Sequence, residues 1–204
     1  MTKKRVSSER RRKQIIEVAM KLFSKKEFKG TTTKNIAKKV SINESILYRH
    51  FNTKEDIYQA IINTACSEKE KPIIHQELID KKDDHVIFKT IALEIMKRLE
   101  KNQTFTRLFL FSALEGHKLS DMFFKTRILK SFDNLADYLK KRMADGAIKK
   151  MNPKLAARSF IGVLIYYMLV QEIYGGKKIE TFKKEEVVDV FVEIFLKGMQ
   201  KEKS

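Results

Sequence analysis

The chain has 204 residues, with 43 Lys and Arg against 26 Asp and Glu, a formal charge of +17, and a single cysteine. That length holds one core or two small ones, and Cys66 alone excludes an intrachain disulfide or a cysteine-rich metal site. So basic a balance suits a polyanionic partner or an anionic membrane surface.

The excess is uneven, since residues 1–55 carry 16 Lys and Arg against 5 Asp and Glu, a net of +11. A uniformly Lys-rich composition would spread it along the chain. No apolar h-region precedes Ile15, so no secretory leader is expected. The apolar run FIGVLIYYMLV, residues 160–170, falls short of the roughly 20 residues a spanning helix needs. A cytoplasmic protein is expected.

Only 7 Gly and 2 Pro punctuate the chain, and apolar residues recur at spacings of three and four, which predicts an all-α fold. The first helix is predicted over 8–25, with Ile15, Ile16, Ala19, Leu22 and Phe23 on one face. Phe28 and Gly30 close a loop. Thr32 then caps a second helix striped by Ile36, Ala37 and Val40, with Asn35 three residues on. Asn43 is the expected cap of a third helix, of about eight residues, ending near Phe51. Thr53 with Asp56 offers the start of a fourth, which Pro72 breaks or kinks near residue 71. A further helical piece and a charged loop follow. The remaining helices are predicted at 84–101, 103–115, 119–143, 153–174 and 183–200, with Pro153 at a first helical position and Gly175-Gly176 after a C-terminus.

The stretch TTTKNIAKKVSINESILYRHFNTKED, residues 31–56, pairs two short helices across a tight turn, the helix-turn-helix pattern that lays its second helix in the DNA major groove. At 100° per residue, Leu47 and Phe51 share one face of that helix and form its buried side. Ser45, Ile46 and Arg49 point away. Arg49 can then donate to guanine, Ser45 donate or accept, and Ile46 pack on a thymine methyl. Tyr48 and His50 lie on the flanks and suit phosphates, as do Thr31, Thr32, Thr33, the first amides of the second helix, and Lys54.

The segment FSKKEFKGTTTKNIAKKVSINESILYRHFNTKEDIYQAI, residues 23–61, resembles the N-terminal domain of the TetR family of bacterial transcriptional regulators. The resemblance rests on Phe23 with Phe28, Thr31-Thr32, Ile36-Ala37, Leu47-Tyr48-Arg49-His50-Phe51 and Lys54-Glu55, and covers about 50 residues counting the first helix. It implies a homodimeric repressor whose heads bind a palindromic operator and whose helical bodies hold a small effector. It also implies backbone contacts by Thr32, Tyr48, His50 and Lys54. The corresponding domains are residues 1–53 for DNA and 54–204 for effector and dimerisation.

The turn departs from the family pattern. Val40, Ser41, Ile42 and Asn43 stand where Ala-Gly-Val-Ser is usual, so Ser41 must take a less comfortable backbone angle while Asn43 keeps a capping side chain. Glu44, Ser45 and Ile46 replace a common Lys-Gly-Thr, and Glu44 either accepts from a cytosine amine or points to solvent. The basic arm of Lys3, Lys4, Arg5, Arg10, Arg11 and Arg12 either reaches a neighbouring minor groove or stays a disordered tail.

In the body, PKLAARSFIGVLIYYMLVQEIY and EEVVDVFVEIFLKGM are strongly apolar. They read either as ordinary core or, as the resemblance favours, as a two-fold four-helix interface including Phe160, Leu164, Val187, Phe191, Ile194 and Phe195. Phe105, Phe109, Phe111, Met122, Phe123 and Phe124 at helical spacing read as core by pattern alone. The resemblance makes them an effector cavity, with Arg107, Tyr166, Tyr167 or Gln171 as orienting polar residues, and the Phe-rich composition suggests a lipophilic effector.

His50, His75, His85 and His117 form no metal-ligand spacing, and neither a phosphate-cradling glycine loop nor a nucleophile motif occurs. His75 and Asp80 near Asp83, Asp84 and His85 read as a solvated loop. The expectation is no enzyme, no metal and no cofactor. The alternative to a regulator is a nonspecific nucleic-acid or anionic-membrane-surface binder.

Overall fold

A computed structural model of the chain describes residues 7–67, 76–116 and 118–201. The expected Pro72 break, His75, His117, and Lys3, Lys4 and Arg5 of the basic arm lie outside those residues. The fold is all-helical, with no strand among the described residues.

Two compact units divide it. The first is built on α1 (Ser8–Lys26), α2 (Thr33–Val40), α3 (Glu44–Tyr48) and α4 (Lys54–Ser67). To these it adds α7 (Gln103–Leu114) from Thr104 on, and α8 (Lys118–Phe123). This unit therefore runs past the helix-turn-helix residues. The reason lies in the core: Ile15, Phe23, Leu47, Ile57, Ile61 and Ile62 are buried in one cluster with Leu108, against which Phe105, Met122 and Phe123 pack. Phe23, Phe28 and Tyr58 stack around a common point, with ring centroids 5.1–5.5 Å apart, each pair adding to the burial about 0.5–1.5 kcal/mol.

The second unit holds α5 (Gln76–Lys81), α6 (Asp84–Lys101), α9 (Leu129–Ala144), α10 (Pro153–Glu172) and α11 (Lys184–Met199). Phe88, Phe160 and Phe195 form its aromatic centre at 4.7–5.7 Å. Asp84 takes Nε and Nη2 of Arg142 at 2.8 and 3.0 Å and accepts from the Tyr138 hydroxyl, tying the start of α6 to the end of α9. Such a bidentate pair fixes geometry as well as charge.

The single helix expected over 119–143 is instead α8, a π-helical turn at Phe124–Ile128, and α9. A wide turn of this kind leaves no gap in the apolar pattern, so periodicity alone does not reveal it.

At 20 residues α10 is, among the described residues, the helix long and apolar enough to cross a membrane by length and composition, longer than its 11-residue apolar run suggests. Asn152 caps it through the Lys154 and Leu155 amides, and Ala156, Ala157, Phe160, Ile161, Leu164 and Met168 carry it into the unit's core.

Candidate nucleic-acid interface

Two reciprocal caps frame the α2–α3 pair. The Thr32 hydroxyl accepts from the Asn35 amide at 3.1 Å while the Asn35 side chain accepts from the Thr32 amide at 3.2 Å. Thr53 and Asp56 repeat the arrangement at the start of α4, both bonds being 3.0 Å. Each satisfies amides that an unpartnered helix start leaves open.

Between α2 and α3 the chain reverses at Ser41, which takes the left-handed conformation, φ 62° and ψ 47°. Its amide donates to Lys38, and that of Ile42 to Ala37, so α2 closes without the usual glycine at a local cost of about 1 kcal/mol. Asn43 occupies the N-cap of α3 with extended backbone but makes no side-chain cap bond. The capping role expected of it is therefore corrected. The helix spans only Glu44–Tyr48, with Arg49 and His50 in a tightened last turn rather than a full eight-residue helix.

Leu47 is fully buried and Phe51 nearly so, while Ser45, Tyr48 and Arg49 are exposed and Ile46 and His50 half-buried. The short helix thus presents a polar outer face on an apolar anchor. Lys34, Lys38 and Lys39 are exposed on α2 beside it, three cations in phosphate-contact chemistry that the motif reading passed over.

The second unit has an exposed face of opposite character. Gly162, Val163, Tyr166, Tyr167, Val170 and Phe191 line an open apolar groove of about 490 Å³ on α10 and α11, and Leu155, Val190 and Ile194 stand exposed on the same two helices.

Residues 15–61 match the family of bacterial regulatory proteins of the tetR type, and residues 91–198, more than half the chain, match the C-terminal domain of AefR-like transcriptional repressors. The chain belongs to the TetR family. It is an HTH-type transcriptional regulator, and the family is non-enzymatic. It is 26% identical over 188 residues to the HTH-type transcriptional regulator YvkB of Bacillus subtilis (strain 168), covering 92% of this chain and 96% of YvkB. A 45-residue stretch, 22% of this chain and 24% of the relative, is 49% identical to IcaR, the negative transcriptional regulator of the biofilm operon icaADBC in Staphylococcus aureus (strain Newman). In fold it is similar to the TetR-family regulator PfmR from Thermus thermophilus, with TM-score 0.65 and 19% identity over 92% of this chain and 99% of PfmR. It is also similar to AibR in complex with isovaleryl coenzyme A and operator DNA, with TM-score 0.67 and 17% identity over 90% and 97% of the two chains.

Several residues of this TetR-family chain sit differently from expectation. Thr31 is fully buried and its hydroxyl donates to the Glu27 carbonyl at 3.0 Å, so it is a core residue and not a phosphate contact. The Thr32 hydroxyl donates to Asn35 at 2.8 Å and is spent on the cap. Lys54 turns inward: its ammonium donates to the Phe28 carbonyl at 2.9 Å and lies 4.0 Å from the Phe28 ring centroid. That contact spans 26 residues, which no local pattern can signal. Arg12 lies over the Phe51 ring at 4.6 Å, joining the described part of the basic arm to the α3 anchor. Glu44 does not simply point to solvent, because it accepts from the Thr33 hydroxyl at 2.5 Å.

The residues expected to bind an effector fall in both units. Phe123 packs against Phe105 and Phe109 at 5.0 and 5.2 Å in the first unit, but Arg107 is exposed, which removes it as an inward-pointing partner. In the second unit Tyr166 is exposed in the open groove, while Gln171 is buried with no protein partner for Oε1. Burial and nearby Glu100 and Glu172 raise the Tyr167 phenol above its ordinary value, against the opposing effect of Lys177.

The residues expected at a dimer interface divide too. Phe160, Leu164 and Val187 are buried in the protomer's own core and cannot meet a partner. Phe191 and Phe195 are half-buried against that core, and Ile194, 65% exposed, is the one that faces outward. A helix with apolar residues on more than one side gives no sequence sign of which side is inside.

Proposed function

We propose that the chain is a homodimeric, cytoplasmic repressor that binds a palindromic operator and is released by a small lipophilic effector. The observation that carries this reading is the outer face of α3, where Ser45, Tyr48 and Arg49 project from a helix anchored by Leu47 and Phe51. Arg49 and Ser45 would read base edges, with Ile46 on a thymine methyl, and Tyr48, Thr33, His50 and the exposed α2 lysines would hold the backbone. The exposed apolar stripe on α10 and α11 supports the two-fold partner, because two chains of charge +17 can approach most closely where neither is charged. A dimer is also what a palindrome requires, with half-sites about 34 Å apart on one DNA face.

The Phe105, Phe109, Phe123 and Met122 cluster supports a lipophilic effector, and AibR, of similar fold, is known with isovaleryl coenzyme A and operator DNA. Taken by itself within the second unit, the buried Gln171 Oε1 is an acceptor suited to a ligand's hydroxyl or amide. The effector acts by binding more tightly to the conformation that no longer fits the operator.

The test is selection of bound duplexes from a random pool, followed by titration of the winner and a scrambled duplex at several salt concentrations. A two-fold-symmetric consensus preferred by about 10³ or more is expected. Equal and steeply salt-dependent binding to both would leave only a basic surface and overturn the repressor reading.

A further inference from the structure

The Thr33 hydroxyl has one proton, and it donates that proton to Glu44 Oε1 at 2.5 Å. The threonine's own Oγ1 lies 3.2 Å from the Tyr48 hydroxyl. With the threonine proton committed, Tyr48 must be the donor in that second bond. The direction of the chain is therefore fixed: Tyr48 donates to Thr33, and Thr33 donates to Glu44. Both hydroxyl protons on this part of the surface are thus committed within the protein, along a chain that ends on a carboxylate.

We infer that Glu44 is a specificity-determining residue that stands in for a DNA phosphate, holding the donors of Thr33 and Tyr48 until an operator offers its carboxylate a base amine in exchange. Any duplex that is to use those two hydroxyls must first break the chain and bring a phosphate near a carboxylate. Both steps weaken binding to all DNA alike. A cytosine N4 amine in the major groove is a donor that a displaced carboxylate can accept from, so only a duplex with cytosine in reach recovers the loss. The cost is general and the recovery is sequence-specific, which is how a repulsive group raises discrimination.

This rests on α3 being the base-reading helix. The geometry also separates it from a scaffolding role. The α2–α3 turn is already closed by the Ser41 and Ile42 amides, and α3 is already anchored by Leu47 and Phe51. The Glu44 bond adds a link to an arrangement held by other means.

The test uses the full-length protein and its selected duplex. Glu44→Ala, which removes both the charge and the acceptor, should bind scrambled DNA about tenfold more tightly and the operator no more tightly, so the specificity ratio falls about tenfold. Selection with this variant should lose one cytosine per half-site. Glu44→Asp keeps the charge but is one methylene too short for Thr33, so it should share part of the gain on scrambled DNA. Because part of the gain arises from released hydroxyls, Thr33→Val with Tyr48→Phe should remove that part in the Glu44→Ala background. Persistence of the full gain there would reduce Glu44 to a repelling charge and overturn the inference. So would an unchanged ratio in Glu44→Ala. Wild-type protein with no sequence preference would instead remove the repressor reading itself, a distinct outcome.

Discussion

The outer face of α3 and the outer face of α10 and α11 are both exposed, yet they are exposed in opposite chemistry. On α3 the protruding groups are hydroxyls, a guanidinium and a carboxylate, and two of them, Glu44 and Tyr48, are already engaged with the Thr33 hydroxyl of α2. On α10 and α11 they are Val163, Tyr166, Val190 and Ile194, which touch water at a cost. The difference is that a polar face can be satisfied within its own chain while it waits, whereas an apolar face cannot. Burying such a face returns about 25 cal/mol per Å², and this is the sense in which the α10–α11 stripe calls for a partner more strongly than α3 does.

The sharpest way to break that comparison is to contrast Ile194 with Leu164. Ile194→Asp puts a charge on the stripe and should raise the dissociation constant of the proposed dimer about 100-fold or more while leaving the protomer's stability to urea within the usual surface range of about 0.5 kcal/mol. Leu164→Ala, at a fully buried site, should instead cost about 3 kcal/mol of protomer stability. Sedimentation velocity over a concentration series and urea titration separate the two. If Ile194→Asp leaves the association state unchanged, the stripe does not hold the dimer.

Gly162 sharpens the same point. It lies inside α10 with nothing within 4 Å of where a Cβ would sit, so Gly162→Ala should stabilise the protomer by about 0.5–1 kcal/mol through helix propensity. If a second copy approaches closely there, the same change should weaken association several-fold. Opposite signs in the two readouts are expected. A gain in both would place the partner elsewhere.

Much of this was legible in sequence because it was local. The Thr32–Asn35 and Thr53–Asp56 caps, the first turn of α10 at Pro153, and the burial of Leu47 with Phe51 all follow from spacings of three or four residues. What was not legible depended on burial or on partners far along the chain. Lys54 has the charge of a phosphate ligand but donates to the Phe28 carbonyl 26 residues away, and Thr31 has the chemistry of a surface hydroxyl but is fully buried. Phe160, Leu164 and Val187 carried the right hydrophobicity for an interface, but period alone does not divide a protomer's core from its contact surface. The π-helical turn at Phe124–Ile128 was invisible because its residues suit an α-helix equally well.

A smaller effect is expected where the first unit stores backbone strain. Glu27 ends α1 with φ 61° and ψ 174°, a region that only glycine occupies comfortably and that costs other residues about 1–3 kcal/mol. Glu27→Gly keeps the carbonyl that accepts from Thr31 and relieves the strain, offset by the greater freedom of glycine in the unfolded chain. A net stabilisation of about 1 kcal/mol is expected by urea titration at neutral pH. A loss of stability would mean that the Glu27 side chain contributes something that its exposed position does not suggest.

The smallest effect separates the units by pH. Burial in the second unit, followed by the hydrogen bond to Asp84, raises the Tyr138 phenol well above its ordinary 10.0, with Arg142 opposing. A group whose folded value is raised contributes stability that is complete below its unfolded value and is lost as pH rises through and beyond that value. For Tyr138 the loss therefore begins near pH 10 and continues upward. Tyr138→Phe should cost about 1 kcal/mol at neutral pH through the lost bond to Asp84, yet lose less with rising pH than the wild type does. Tyr58 and Tyr167 are also raised by burial, so the variant's alkaline limb should flatten without disappearing. An equally steep limb would assign the alkaline loss to those two phenols or to Lys177, which Glu172 holds above its ordinary value, and Tyr138 would then be held by Asp84 without contributing to the pH dependence.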